Sequence, residues 1–216
     1  MNIALILQLV LSGVAAYLLG SIPSAVWIGK RFYNIDVREH GSHNAGTTNV
    51  LRVLGYKAAL PVLLIDVLKG LSAVLLAYFI SHTAINRDSE TFGIIKIALG
   101  LMAIVGHMYP VLAGFRGGKG VATTLGIAIA ICPYATLTAL GIFIVIFVIT
   151  KIVSISSMSA GVALPLTVIF LFKEPALSVC LFSLFVCVLL FYTHRKNIRR
   201  LLNGTEPKTT FKKKVV

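Results

Sequence analysis

Apolar residues fall into long runs separated by short polar segments: 3–28, 58–80, 92–113, 121–150, 157–172 and 176–193. None of these runs alternates apolar and polar positions, so the strands of a membrane β-barrel are excluded. Runs of this length and composition predict helices that cross a bilayer. The run 121–150 would rise roughly 45 Å as one helix, too long for one crossing of a core about 30 Å thick. Pro133 stands near its middle. The run therefore predicts two helices that turn near Cys132, Pro133 and Tyr134, giving seven spans in all.

Composition narrows the class. Of 216 residues, 57% are hydrophobic and only 12% are charged, and the mean hydropathy is +0.93. A soluble domain on a single anchor and a disordered chain are both excluded. The expected fold is all-α, a polytopic integral membrane protein. Residues 1–19 lack a basic leader, so they are expected to be an uncleaved first helix rather than a signal peptide. Cys132, Cys180 and Cys187 lie in apolar surroundings without a CxxC and read as packing residues.

Charge sets the orientation. Lys and Arg number 20 against seven acids, a net charge of +13. Such an excess suits anionic lipid headgroups or phosphorylated substrates. Lys30, Arg31, Arg38, Arg52 and Lys57 follow the first run, Arg116 and Lys119 the third, Lys151 the long one, and a basic C-terminus the last. These groups share one side only if 121–150 crosses twice. The N-terminus is then outside and the C-terminus cytoplasmic. Residues 1–202 are expected to form one transmembrane domain, with 203–216 as a polar, basic, mobile tail.

Four unusual segments converge on the cytoplasmic side. Gly41, Ser42, His43, Asn44, Ala45, Gly46, Thr47, Thr48 and Asn49, followed by Arg52, offer backbone N–H groups, hydroxyls, amides and a guanidinium. A phosphate or carboxylate site needs those groups; a capped, solvated turn would also use them. Phe115, Arg116, Gly117, Gly118, Lys119 and Gly120, preceded by Gly106, His107 and Pro110, form the second. Glycines there let the backbone approach an anion while Lys119 supplies charge. A tight positive-inside turn has the same composition, and His107, near a helix end, reads as a capping or packing residue. The segment is not a P-loop, since Gly120 stands where Ser or Thr would hold Mg²⁺. The third segment is Ser154, Ser156 and Ser157 after Lys151, either a substrate-binding or a helix-capping group. The fourth runs from Thr193 to Leu202; in a helix His194 and Asn197 share a face, while Ile198, Leu201 and Leu202 suit the bilayer surface. Asp66 and Lys69, at i and i+3 inside the second run, read as a structural pair.

Other chemistries lack their residues. No His is followed five residues later by Asp, no Gly-x-Ser-x-Gly elbow occurs, and no His-Glu-x-x-His or acidic cluster offers a metal site. No metal and no cofactor are expected.

Taken together, Ser21-Ile22-Pro23, the Gly-Ser-x-Asn-x-Gly-x-Thr-Asn loop with Arg52, the Gly-His-x-x-Pro and Phe-x-Gly-Gly-Lys-Gly segment, and the closing His-x-x-Asn-Ile-x-Arg-Leu with Gly-x-Glu resemble the bacterial acyl-phosphate:glycerol-3-phosphate acyltransferases. The likeness runs from Gly20 to Glu206. It implies seven spans in the bacterial inner membrane and an active site facing the cytoplasm. It implies transfer of an acyl chain from acyl phosphate to the 1-hydroxyl of sn-glycerol 3-phosphate, the first step of phospholipid synthesis. Lysophosphatidic acid and inorganic phosphate would be the products. Ser42, Arg52, Lys119, Ser154, His194 and Asn197 fall on the family's functional positions, with Ser156 and Ser157 as near alternatives to Ser154. Two positions depart: His43 stands where glycine is usual and Thr47 where alanine is usual.

The expected partners are the two phosphorylated substrates and membrane lipid, with no nucleic acid. The protein is expected to act as a monomer, near the enzyme that makes acyl phosphate. Arg52 and Lys119 would hold phosphates, with the backbone of Gly117, Gly118 and Gly120 reaching one of them. Ser42, Asn44 and Asn49 belong to the same binding set, while Ser154 and Asn197 would position oxygens. His194 is either a general base or a positioning donor; with no carboxylate near it in sequence, the donor role is favoured. A phosphate carrier is the competing class, but carriers usually show two related halves, and none is visible. A structural scaffold would explain neither the glycine segment nor His194 with Asn197.

Overall fold

The computed structural model describes residues 3–80 and 85–209, and every regular element among them is helical. The first expected span is two helices, α1 (Ile3–Gly20) and α2 (Ser24–Tyr33). They are separated at Ser21-Ile22-Pro23, where proline disfavours a helical conformation for the residue before it. After the polar loop come α3 (Thr47–Leu54), α4 (Tyr56–Leu75) and the short α5 (Ala77–Ile80). Gly55, at φ +85°, makes the turn between α3 and α4. The Ser89 hydroxyl caps α6 (Glu90–Met108) by accepting the Phe92 N–H at 3.2 Å.

The run 121–150 breaks where its proline predicts. Helix α7 (Val121–Ile131) ends at Cys132, and α8 (Pro133–Thr150) starts with Pro133 in its first turn. Then come α9 (Val153–Leu166), a π-helical turn (Thr167–Leu171) just after Pro165, α10 (Leu177–Thr193) and α11 (Arg195–Leu202). α10 and α11 meet at a bend of 59°. Among the described residues five helical stretches are long and apolar enough to cross a membrane, six if that bent pair counts as one. At 11 residues, α7 rises roughly 16 Å, about half the bilayer core. The chain is an all-α, polytopic integral membrane protein.

Two compact units divide the chain between Ile131 and Cys132. In the first, α1 packs on α6, α4 on α7, and α3 on α4. Glycines sit at both main crossings. A methyl group on Gly20 would strike the Ala103 carbonyl, and one on Gly106 the Tyr17 carbonyl. Likewise Gly70 lies against the Thr123 carbonyl and Gly126 against the Val67 carbonyl. Lipid offers apolar helices little hydrophobic reason to associate, so close backbone approach through small residues is what holds them. In the second unit α8 packs on α9 and α9 on α10, with Gly161 of α9 against the Leu190 side chain.

Gly126→Ala is therefore expected to destabilise the protein by about 1–3 kcal/mol through overpacking, read as a lower Tm in detergent. Gly13→Ala, whose added methyl meets nothing within 4 Å, should leave Tm in place or raise it. Equal effects at the two positions would refute the crossing as the cause.

Candidate active site

The polar loop before α3 is tied down from both ends. Arg38 grips Asp36 with a two-pronged fork, Nε to Oδ1 at 3.0 Å and Nη2 to Oδ2 at 2.7 Å, and its Nη1 donates to the Ala113 carbonyl at 2.7 Å. That guanidinium holds the Asp36 carboxyl well below the usual carboxylate range, although burial opposes the shift. The carboxylate in turn raises Arg38. The fork thus fastens the loop to the turn Val111–Ala113, just ahead of the glycine segment.

Asn49 closes the loop from below. Its Oδ1 accepts the Ser42 N–H at 2.8 Å and the Ser42 hydroxyl at 3.1 Å, while its Nδ2 donates to the carbonyls of Val37 (2.7 Å) and His40 (3.1 Å). The buried amide is saturated within the protein, so its physical effect is to shape the loop and present Ser42 at the surface. Asn44 and Arg52 are half-buried, Arg52 in the last turn of α3.

Both departures from the family pattern have a local physical meaning. His43 adopts a left-handed φ of +58°, which glycine takes without strain; its Nδ1 lies 3.1 Å from the Arg38 carbonyl. The Thr47 hydroxyl is buried with no hydrogen-bond partner, a situation that alanine avoids.

The glycine segment meets this loop. Ala45, Gly117 and Gly118 share a narrow cleft with Asp66, Lys69 and His107. The Gly118 N–H donates to the His107 carbonyl at 3.2 Å. Gly120, at φ +78°, turns the chain into α7, and Lys119 is half-buried between them. Asp66 and Lys69 are paired as the sequence predicts, Nζ to Oδ1 at 2.9 Å. They are joined by residues that helical periodicity could not connect to them. Ser24 donates to Asp66 Oδ1 at 2.7 Å, Lys69 donates to the Ile22 carbonyl at 2.9 Å, and His107 Nδ1 lies 3.8 Å from Asp66 Oδ1.

In the second unit one carboxylate gathers three side chains. Glu206 Oε1 accepts from the Ser154 hydroxyl at 2.9 Å and from Asn197 Nδ2 at 2.6 Å; its Oε2 accepts from Arg200 Nε at 2.6 Å. Burial pushes the Glu206 carboxyl up, but the hydrogen bonds from Arg200, Asn197 and Ser154 prevail and lower it. Of the three candidate serines only Ser154 joins Asn197 on this carboxylate. The Ser156 hydroxyl bonds back to the Ile152 carbonyl, and that of Ser157 is buried without a hydrogen-bond partner. The start of the expected mobile tail is pinned: Glu206 is buried, and the Thr209 N–H donates to the Lys151 carbonyl at 2.7 Å. Glu206 was missed as a site residue, although Gly204-Thr205-Glu206 carried a signal in the resemblance.

His194 sits at the α10–α11 bend and is 3% exposed. A backbone group orients the ring: Nδ1 lies 2.8 Å from the Leu190 carbonyl. A carbonyl only accepts, so the neutral ring carries its proton on Nδ1 and a lone pair on Nε2. A donor at Nε2 would require the cationic ring.

Apolar helices bearing a serine- and asparagine-rich loop, a glycine–lysine segment and a buried histidine–asparagine corner define a polytopic membrane protein with polar sites built on its helix ends. The glycerol-3-phosphate acyltransferase family model matches residues 10–204. Glycerol-3-phosphate acyltransferases of Listeria welshimeri and Chlorobium limicola are 44% and 40% identical, covering 94% and 92% of this chain and 97% and 95% of theirs. The crystal structure of PlsY, an integral membrane glycerol 3-phosphate acyltransferase, in its glycerol 3-phosphate form, superposes with a TM-score of 0.81 at 35% identity. The match covers 94% of this chain and 96% of PlsY. The lysophosphatidic acid form gives 0.78 at 34% identity. The chain belongs to the glycerol-3-phosphate acyltransferase family.

The lowered Glu206 carboxyl fixes the sign of a pH dependence. Its contribution to stability is complete above the ordinary glutamate range and is lost as pH falls through its own, lower value. The Tm gap between wild type and Glu206→Gln should be full at pH 7 and should shrink as pH drops below about 4.3. A gap independent of pH would refute the charge as its source.

Proposed function

We propose that this protein transfers a fatty acyl group from acyl phosphate to the 1-hydroxyl of sn-glycerol 3-phosphate, releasing lysophosphatidic acid and inorganic phosphate. The observation that carries the reading is the His194 corner: an imidazole whose Nδ1 is bonded to a backbone carbonyl, one helical turn from Asn197, which shares the Glu206 carboxylate with Ser154 of α9. In a member of this family, those groups suit deprotonation of a hydroxyl and placement of its oxygen. The hydroxyl oxygen attacks the acyl carbon, the bond from that carbon to the phosphate oxygen breaks, and phosphate leaves. His194 Nε2 takes the hydroxyl proton. Ser154 and Asn197 position oxygens, which requires Glu206 to share their hydrogen bonds with the substrate.

Arg52 and Lys119 bind phosphate groups, and Ser42 and Asn44 line the same loop; Gly117 and Gly120 bring backbone N–H groups to the anion, whereas the Gly118 N–H, expected to do the same, is held by the His107 carbonyl and shapes the segment instead. Asn49 contributes by holding Ser42. The donor is already activated, so no acyl-enzyme is needed; orientation and charge stabilisation carry the rate. We place the protein in the bacterial inner membrane with seven crossings, α7 being the short one, an outside N-terminus and its active site on the cytoplasmic face. The grouping of Lys and Arg between the apolar runs supports that orientation.

Purified protein with palmitoyl phosphate in EDTA is expected to release phosphate only when sn-glycerol 3-phosphate is added, with lysophosphatidic acid formed in equal amount. Activity only with acyl-CoA or acyl carrier protein would refute the donor. Movement of intact glycerol 3-phosphate across sealed vesicles, without conversion, would show a carrier instead. For His194, both His194→Ala and His194→Gln should lose about 10²–10⁴-fold in kcat; activity retained by the glutamine variant would show a positioning role alone.

A further inference from the structure

A buried charge cluster in the first unit has no role in the acyl transfer described above. Asp66 and Lys69 of α4 pair at 2.9 Å, with side chains 1% and 3% exposed. Ser24 at the start of α2, the Ile22 carbonyl in the break before it, and His107 on α6 complete the cluster. Ionisable groups inside an apolar bundle are costly, and a well-packed apolar set would often hold a fold as firmly. A cluster of this kind points to a use beyond stability.

His107 shows what that use is. Its Nδ1 lies 3.2 Å from the Thr123 hydroxyl in the first turn of α7, on the edge that also faces Asp66. The opposite edge meets the glycine segment. A methyl on Gly118 would overlap His107 Nε2, and one on Gly117 the His107 carbonyl, which accepts the Gly118 N–H. Residues 117 and 118 therefore lie directly on His107. Lys119 is bracketed by two of its contacts, Gly118 before it and Thr123 after it.

We propose that His107, held by Thr123 and facing Asp66, is a positioning residue that sets the glycine segment and Lys119 for binding a substrate phosphate. The inference rests on the reading of Lys119 as a phosphate-binding residue. Lys69 and Ser24 act behind it, keeping the Asp66 carboxylate in place.

Amide hydrogen exchange and steady-state kinetics of the purified full-length protein test this, with Thr123→Val and His107→Gln as variants. Thr123→Val loses the hydroxyl and keeps the branched shape, so it carries the test if His107→Gln does not fold. In wild type, glycerol 3-phosphate or inorganic phosphate should protect the amides of residues 115–120. In Thr123→Val that protection should weaken, and KM for a phosphorylated substrate should rise roughly tenfold while kcat stays within about threefold. In a Lys119→Arg background the Thr123→Val change should raise KM no further. Unchanged exchange at 115–120, an unchanged KM, or a KM effect that adds fully to that of Lys119→Arg would each overturn the proposal. If wild type shows no acyl transfer, the functional reading fails by itself, and protection then decides: loss in Thr123→Val supports the role of His107, and equal protection, or none in wild type, overturns it.

Discussion

Backbone contact at two helix crossings is the constraint on which the first unit depends. α1 meets α6 through Gly20 and Gly106, and α4 meets α7 through Gly70 and Gly126, each glycine pressed against a facing carbonyl. In a bilayer this closeness replaces the hydrophobic drive that packs helices in water. It also makes the interior polar cluster possible. Asp66 and Lys69 on α4 and His107 on α6 are shielded from lipid because the helices that carry them approach closely enough to enclose them. The glycine segment is seated on His107, so the placement of Lys119 traces back to the same crossings.

Acids are scarce in this chain, and several of them serve as internal anchors. Asp36 holds Arg38, which reaches the turn before the glycine segment. Asp66 holds Lys69 and Ser24. Glu206 holds Ser154, Asn197 and Arg200. Each carboxylate thus orders a polar segment, in a sequence where basic residues outnumber acids by 20 to seven. Asn49 does the same with a neutral amide, using all of its hydrogen-bonding capacity to shape the loop that carries Ser42.

Much of the architecture was legible along the chain. Apolar length defined the helices, and Pro133 marked the break in the longest run, because a proline fixes its own φ and lacks the N–H a helix interior needs. The i, i+3 spacing of Asp66 and Lys69 disclosed their pairing for the same local reason. Family motifs brought out the serine–asparagine loop, the glycine–lysine segment and the His194–Asn197 pair, and they included Glu206 without disclosing its contacts.

Only tertiary structure decided which of these residues share an environment. Ser24, Asp66, His107 and Thr123 lie on four helices and meet only in the folded bundle, where glycine crossings bring α4 against α7. The carboxylate partner of Ser154 and Asn197 comes from a chain end that reads in sequence as a mobile tail. The Leu190 carbonyl that orients His194 is a backbone group, and every residue carries one, so no residue pattern could disclose that contact. Local chemistry fixed the helices, their breaks and the reactive residue types; distances across the fold fixed which proton each of those residues can hold and which partner keeps it in place.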